Sequence, residues 1–218
     1  MKPILFNTEM VRAILDGRKT MTRRVVKPQP EGAHTILGCD PDKRTFEIMC
    51  GNGGEGGIFL DWTEDVKAPF WPGDILYVRE TWKNATGDLA GGGYALFDTF
   101  VYKADGKAKD NYPLDQLMVE GRWRPSIHMP KEAARIFLRV TDVYPQRLKE
   151  GFECSDRELL KEGMDGGNPW DDLFQFMRTW DSTIKKKDLP LYGWEADPLV
   201  WVIEFERVSK DEAISAQS

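Results

Sequence analysis

Between Gly17 and Arg24 the chain gathers four cations (Arg18, Lys19, Arg23, Arg24) and two hydroxyls (Thr20, Thr22) directly behind a glycine. A solvated helix face mixes signs and spaces its charges three or four apart; this run does neither. Three readings are open to these residue types at this spacing. The first is a solvated basic turn. The second is a phosphate clamp, since guanidinium and ammonium groups beside small residues suit anionic oxygens. The third is a nucleophile with its activating base, a hydroxyl whose proton a neighbouring amine takes. Spacing alone does not choose among them.

The flanking elements must hold that run in place. Ile4-Leu5-Phe6 reads as a short strand, and Asn7 or Thr8 offers a cap to a helix whose Met10, Val11, Ile14 and Leu15 form one apolar stripe. Gly17 is its natural stop. Thr22 to Lys27 then reads as a strand, with Thr22, Arg24 and Val26 on one face and Arg23, Val25 and Lys27 on the other. Lys19, in the loop before it, folds back over Thr22 in this reading.

Further along, Thr35-Ile36-Leu37 and Thr45-Phe46-Glu47-Ile48 flank Asp40-Pro41-Asp42-Lys43 as a hairpin. Gly51 to Gly57 lacks the Gly-Lys-Ser/Thr ending of a phosphate-binding loop and reads as a hairpin tip. Gly91-Gly92-Gly93 marks a flexible stretch. After the turn Trp71-Pro72-Gly73-Asp74, the alternation from Ile75 to Trp82 makes a half-buried strand with Arg79 and Glu80 on opposite faces.

Ala134 to Tyr144 is strongly strand-like. Ser155-Asp156-Arg157-Glu158 matches a capping box for a helix that Gly163 ends, which puts Glu162 in its last turn. Asn168-Pro169 opens a helix whose Leu173, Phe174, Phe176, Met177 and Trp180 form a core stripe. Leu199 to Val208 reads as a closing strand, and residues 209–218 as a frayed tail.

The bulk properties bound the rest. With 218 residues and 41% hydrophobic content, the chain has ample material for a packed core. A formal net charge of -6 argues against a protein whose main task is to grip a long polyanion, and leaves a small nucleic-acid-like ligand open. Three cysteines without Cys-x-x-Cys spacing and only two histidines indicate neither a disulfide framework nor a zinc site. No apolar run has signal-peptide or transmembrane length, so the expected setting is cytoplasmic and reducing, with no membrane partner. Strands interrupted by short helices, without a repeating strand-helix unit, point to an α+β barrel. It is expected as one domain over residues 1–208, elaborated by insertions at about 31–69 and 83–125.

Gly17-Arg18-Lys19-Thr20-x-Thr22-Arg23-Arg24, within Phe6 to Pro28, resembles the ASCH domain, which is related to the RNA-binding PUA fold. Pro72-Gly73-Asp74 with Tyr77-Val78-Arg79-Glu80-Thr81-Trp82, then Ser126-Ile127-His128-Met129-Pro130, then Trp201-Val202-Ile203-Glu204-Phe205 extend the likeness in order along most of the chain. The whole is similar to the longer ASCH proteins common in phages and prophages. The resemblance implies a PUA-like mixed β-barrel flanked by short helices.

Within that superfamily, small bacterial amidohydrolases remove acyl groups from the exocyclic amine of N4-acetylcytidine with a Lys, a Thr three residues later and a downstream Glu. By motif, Lys19 and Thr22 take the first two positions. Glu162 is the counterpart for the third, with Glu158, Glu150 and Glu80 as replacements. Thr22 would be the nucleophile, or a positioning group if water is activated directly. Lys19 would be its base once burial and the flanking arginines lower its proton affinity. Glu162 would be the acid that protonates the departing amine.

Arg24 is the candidate for the oxyanion or the pyrimidine carbonyl, and Arg23 for a further substrate contact. Arg79 and Glu80 are a second polar pair, one of which is expected to reach the pocket; Trp82 or Tyr102 is the candidate to stack on a base, with core as the other reading of each. Neither metal nor organic cofactor is implied. The rival readings are a non-catalytic module that binds RNA or a modified nucleotide, and a phage accessory protein with protein partners.

Overall fold

The cap expected at Asn7 forms: its side chain accepts from the Met10 N–H, and the helix it opens buries Val11, Ala13 and Ile14. A computed structural model describes residues 1–52, 61–88, 96–113, 117–119, 121–152 and 156–216. The elements in chain order are β1 (Lys2–Leu5), α1 (Thr8–Leu15), β2 (Met21–Val25), β3 (Thr35–Asp40), β4 (Thr45–Cys50), β5 (Trp62–Lys67), β6 (Ile75–Arg79), β7 (Trp82–Asp88), β8 (Leu96–Tyr102), β9 (Leu117–Val119), β10 (Phe137–Arg147), α2 (Asp156–Lys161), α3 (Pro169–Thr183), α4 (Leu189–Tyr192), β11 (Leu199–Val208) and α5 (Lys210–Ser215). The class is mixed α+β. The chain sorts into two compact units, and β10 and β11 each have residues in both.

The first unit comprises Met1–Gly17, Asp74–Arg139 and Glu206–Ser218. Here β1 runs parallel to β6, Lys2 opposite Leu76, and β6 runs antiparallel to the start of β10, Tyr77 opposite Phe137. A separate sheet has the order β8-β7-β9. Its register sets Trp82 opposite Tyr102. Both rings enter a core with Ile75, Tyr77, Met129, Phe137 and Ala213. Ala213 belongs to α5, which forms where fraying is expected. Its cause is a reciprocal capping box: the Ser209 hydroxyl accepts from the Glu212 N–H while the Glu212 carboxylate accepts from the Ser209 N–H.

The second unit comprises Arg18–Gly73 and Val140–Phe205. Here β2 lies antiparallel to β11, with Thr22 opposite Ile203 and Arg24 opposite Trp201. Leu199 to Ile203 are all buried, so this end of β11 is covered on both faces. The hairpin of β3 and β4 gains β5 as a third strand. Two aromatic groups fill the unit: Phe46 against Trp71 and Trp201, and Phe152 with Phe176, Trp180 and Trp194. Asn168 caps α3 by accepting from the Trp170 N–H, with Pro169 at the first helical position.

The end of the glycine-rich loop at 53–57, the glycines at 91–93, Cys154, and Ser155 of the expected capping box lie outside the described residues. Cys39 and Cys50 are free thiols. Among the described residues no helix is long and apolar enough to cross a membrane.

Candidate active site

The loop behind Gly17 is not a solvated turn. It closes the end of α2. Glu162 follows the last helical residue, and Gly163 takes the left-handed conformation (φ 94°). Gly163 N–H donates to Leu160 O and Met164 N–H to Leu159 O, the paired bonds of a Schellman ending. The remaining carbonyls of that turn are taken up by the basic loop. Thr20 N–H donates to Lys161 O, Lys19 Nζ to Glu162 O at 2.7 Å, and Arg18 NH1 to Gly163 O at 2.8 Å. Cations at a helix C-terminus complement both its unpaired carbonyls and its dipole.

The same arrangement brings the side chains together. Lys19 Nζ lies 2.7 Å from Glu162 Oε2, and Arg23 NH1 lies 3.0 Å from Glu162 Oε1. Arg23 NH2 reaches Glu158 Oε2 at 2.8 Å, one helical turn back. Lys19 and Glu162 are each 3% exposed and Arg23 2%. Thr22 is equally buried, second in β2 and three residues past Lys19. Lys161 extends the cluster, 3.9 Å from Glu158 and 2.8 Å from Glu204.

Burial holds the Lys19 ammonium below its ordinary proton affinity. Glu162 opposes that by charge and hydrogen bond, while Arg24 and Arg23 push in the same direction as burial. Arg24 is half-buried, and desolvation lowers its proton affinity too, against the pull of Glu162. The unfolded chain therefore binds the Lys19 proton more tightly than the folded one. This group's contribution to stability rises as pH climbs from the lowered value toward the unfolded value of about 10.4.

The partners of Lys19 can be separated by titration. Arg24→Gln removes a charge that depresses Lys19 and is expected to move its titration upward, as followed by the Cε carbon resonance. Glu162→Gln removes the opposing carboxylate and is expected to move it downward. Shifts of the same sign in both variants would contradict this account.

Arg79, Glu80, Trp82 and Tyr102 belong to the first unit and are engaged within it. Glu80 is clamped by Arg135 through two bonds of 2.8 and 2.9 Å. Trp82 packs edge-on against Phe100, with Arg124 over its ring. Tyr102 is wholly buried, its hydroxyl donating to Ala133 O and Arg135 stacked on it at 3.9 Å. Neither ring has a free face for a base. Facing each other across a strand pair, they form core, which the alternation of their own strands does not reveal.

Arg79 NH1 donates to Ile127 O. Glu150 is exposed and accepts from the Arg147 N–H. Arg23, expected at substrate, has both terminal nitrogens on carboxylates instead. Sequence reasoning passed over the part of Arg18 in holding the Glu162 turn; its signal was the cation directly after the glycine that ends α1. Among the described residues no group of three or more His, Cys, Asp or Glu side chains is placed to hold a metal ion.

Comparison with protein-family models, with curated proteins and with solved structures finds no match to this chain.

Proposed function

We propose that this chain is an ASCH-type, PUA-like amidohydrolase that removes acyl groups from the exocyclic amine of N4-acylated cytosine nucleosides, using Lys19, Thr22 and Glu162. The observation that carries this reading is the pairing of a buried Lys19, whose proton affinity is lowered, with Glu162 beside the strand that bears Thr22. Lowered proton affinity makes the neutral amine, the form that acts as a base, easier to reach than in an exposed lysine, and the Glu162 carboxylate lies 2.7 Å from its nitrogen, within reach for proton transfer.

In the proposed reaction the Thr22 hydroxyl adds to the acyl carbon as its proton passes to Lys19. Arg24 faces the oxyanion. The carbon–N4 bond breaks as a proton, relayed from Lys19 through Glu162, reaches the amine and releases the cytosine nucleoside. Water then hydrolyses the acyl-threonine, returning Thr22 and a carboxylic acid. The acidic net charge suits a free nucleoside better than a long RNA.

A second reading keeps the fold without the chemistry. Lys19 Nζ also donates to the Glu162 carbonyl, as a helix-capping cation does, and such a cap would serve a module that binds RNA or a modified nucleotide. The ultraviolet spectrum of N4-acetylcytidine incubated with chelator-treated protein decides between them. Conversion to cytidine is expected with the native chain and absent with Thr22→Ala. A folded native chain that converts neither this substrate nor longer acyl analogues would leave the binding module.

A further inference from the structure

We infer that Arg23 is a positioning residue that fixes the orientation of the Glu162 carboxylate, and that Gly151 exists as its seat. The inference rests on the hydrolase reading above and assigns Arg23 a part other than substrate contact. Its guanidinium does not form the usual two-pronged pair with one carboxylate. It spans two, NH1 on Glu162 Oε1 and NH2 on Glu158 Oε2, while the buried Nε has no acceptor among the described residues. Spanning Glu158 and Glu162 ties the carboxylate after the helix to one inside it. Glu162 Oε1 is thereby occupied, and Oε2 is turned to Lys19.

The guanidinium in turn is held in a close-fitting place. It lies 4.4 Å from the centre of the Phe152 ring. At Gly151 a Cβ would stand 2.3 Å from Arg23 NH2 and 2.6 Å from Gln146 Nε2. The φ angle of Gly151 does not call for glycine; a Cβ there would meet the ends of the Arg23 and Gln146 side chains and displace them. Gly151→Ala would displace the far end of the arginine, leaving the backbone in a conformation that alanine accepts.

The test compares Arg23→Gln, Arg23→Lys and Gly151→Ala with the native protein in two assays. The first is steady-state turnover of N4-acetylcytidine. Misplacing a reacting group by about an ångström lowers turnover on the order of 100-fold. That loss is expected in kcat for Arg23→Gln and Gly151→Ala, with KM within about threefold of native. Arg23→Lys, with one arm in place of two, is expected to fall between. The second assay is the exchange of the Lys19 ammonium protons with water at acidic pH, read by nitrogen NMR. It is expected to quicken in the same order, because Glu162 no longer holds one orientation.

A raised KM with native kcat would overturn the inference in favour of substrate contact by Arg23. Native kcat and native exchange in folded variants would overturn it outright. Should the native protein turn over no acylcytidine, the hydrolase reading falls, and the exchange assay still decides whether Arg23 orients Glu162. Should Arg23→Gln fail to fold, Gly151→Ala and Arg23→Lys carry the same comparison.

Discussion

Glu162→Ala is expected to destabilise the protein by about 3–5 kcal/mol, the usual loss when one member of a buried ion pair is removed and its partners remain. Two partners remain here. Lys19 and Arg23 each spend a hydrogen bond on this carboxylate, and both side chains are almost fully withdrawn from water. Arg23 cannot shed its proton. Lys19 can, and without Glu162 burial and the arginines lower its proton affinity further. The destabilisation should therefore be largest where the native Glu162 carboxylate and the Lys19 ammonium are both charged, and shrink on either side, as acid protonates the carboxylate and as a neutral Lys19 at high pH no longer needs a counter-charge. Glu162→Gln, which keeps the volume and one acceptor oxygen, should lose less. Urea unfolding at two pH values measures this; a loss under about 1 kcal/mol would mean that both cations have other sufficient partners.

The second large effect is on turnover. Lys19→Arg is expected to leave a folded protein whose kcat is about 1000-fold or more below native, in the range that removal of a general base produces. Arginine retains the charge and can still bond the Glu162 carboxylate and the carbonyls at the end of α2, but it accepts no proton. This variant separates two parts that the native lysine combines, cap and base. Lys19→Ala removes both, so it should lose turnover and also stability. Lys19→Arg with turnover within tenfold of native would reduce Lys19 to a cap, and the reaction would have to draw its base from elsewhere. Steady-state assays on N4-acetylcytidine, beside thermal unfolding of the same samples, distinguish these outcomes.

Much of the fold was legible where local chemistry decides it. Asn7 and Asn168 cap the helices that their side chains can cap, and β11 spans Leu199–Val208, where the apolar run lies. The hairpin at Asp40 to Lys43 closes where expected, with the Asp40 carboxylate accepting from the Asp42 and Lys43 N–H groups. β5 was missed because its Trp62-Thr63-Glu64-Asp65-Val66-Lys67 is largely polar and gains its order by pairing with β4. α5 forms near the chain end, where fraying is the ordinary expectation, because Ser209 and Glu212 make a capping box.

At the site, the proximity of Lys19 to Glu162 was named through the resemblance and not through spacing. The fate of Arg23 was not legible at all. In a strand, Thr22 and Arg23 point to opposite faces, and only the packing of both faces of β2 explains why each is buried.

The bond between Lys19 and Glu162 joins residues 143 positions apart, and the strand that carries Thr22 finds its partner only in β11. A site of this kind is absent from every shorter version of the growing chain. During synthesis the cluster from Arg18 to Arg24 precedes α2 and β11 and stays without Glu162 until α2 has been made. Closing so long a loop is slow in comparison with forming a helix or hairpin. The cluster would therefore assemble late: α1 and the β3–β4 hairpin could form while Lys19 and Glu162 remain apart, so partly folded chains would carry native-like pieces without it.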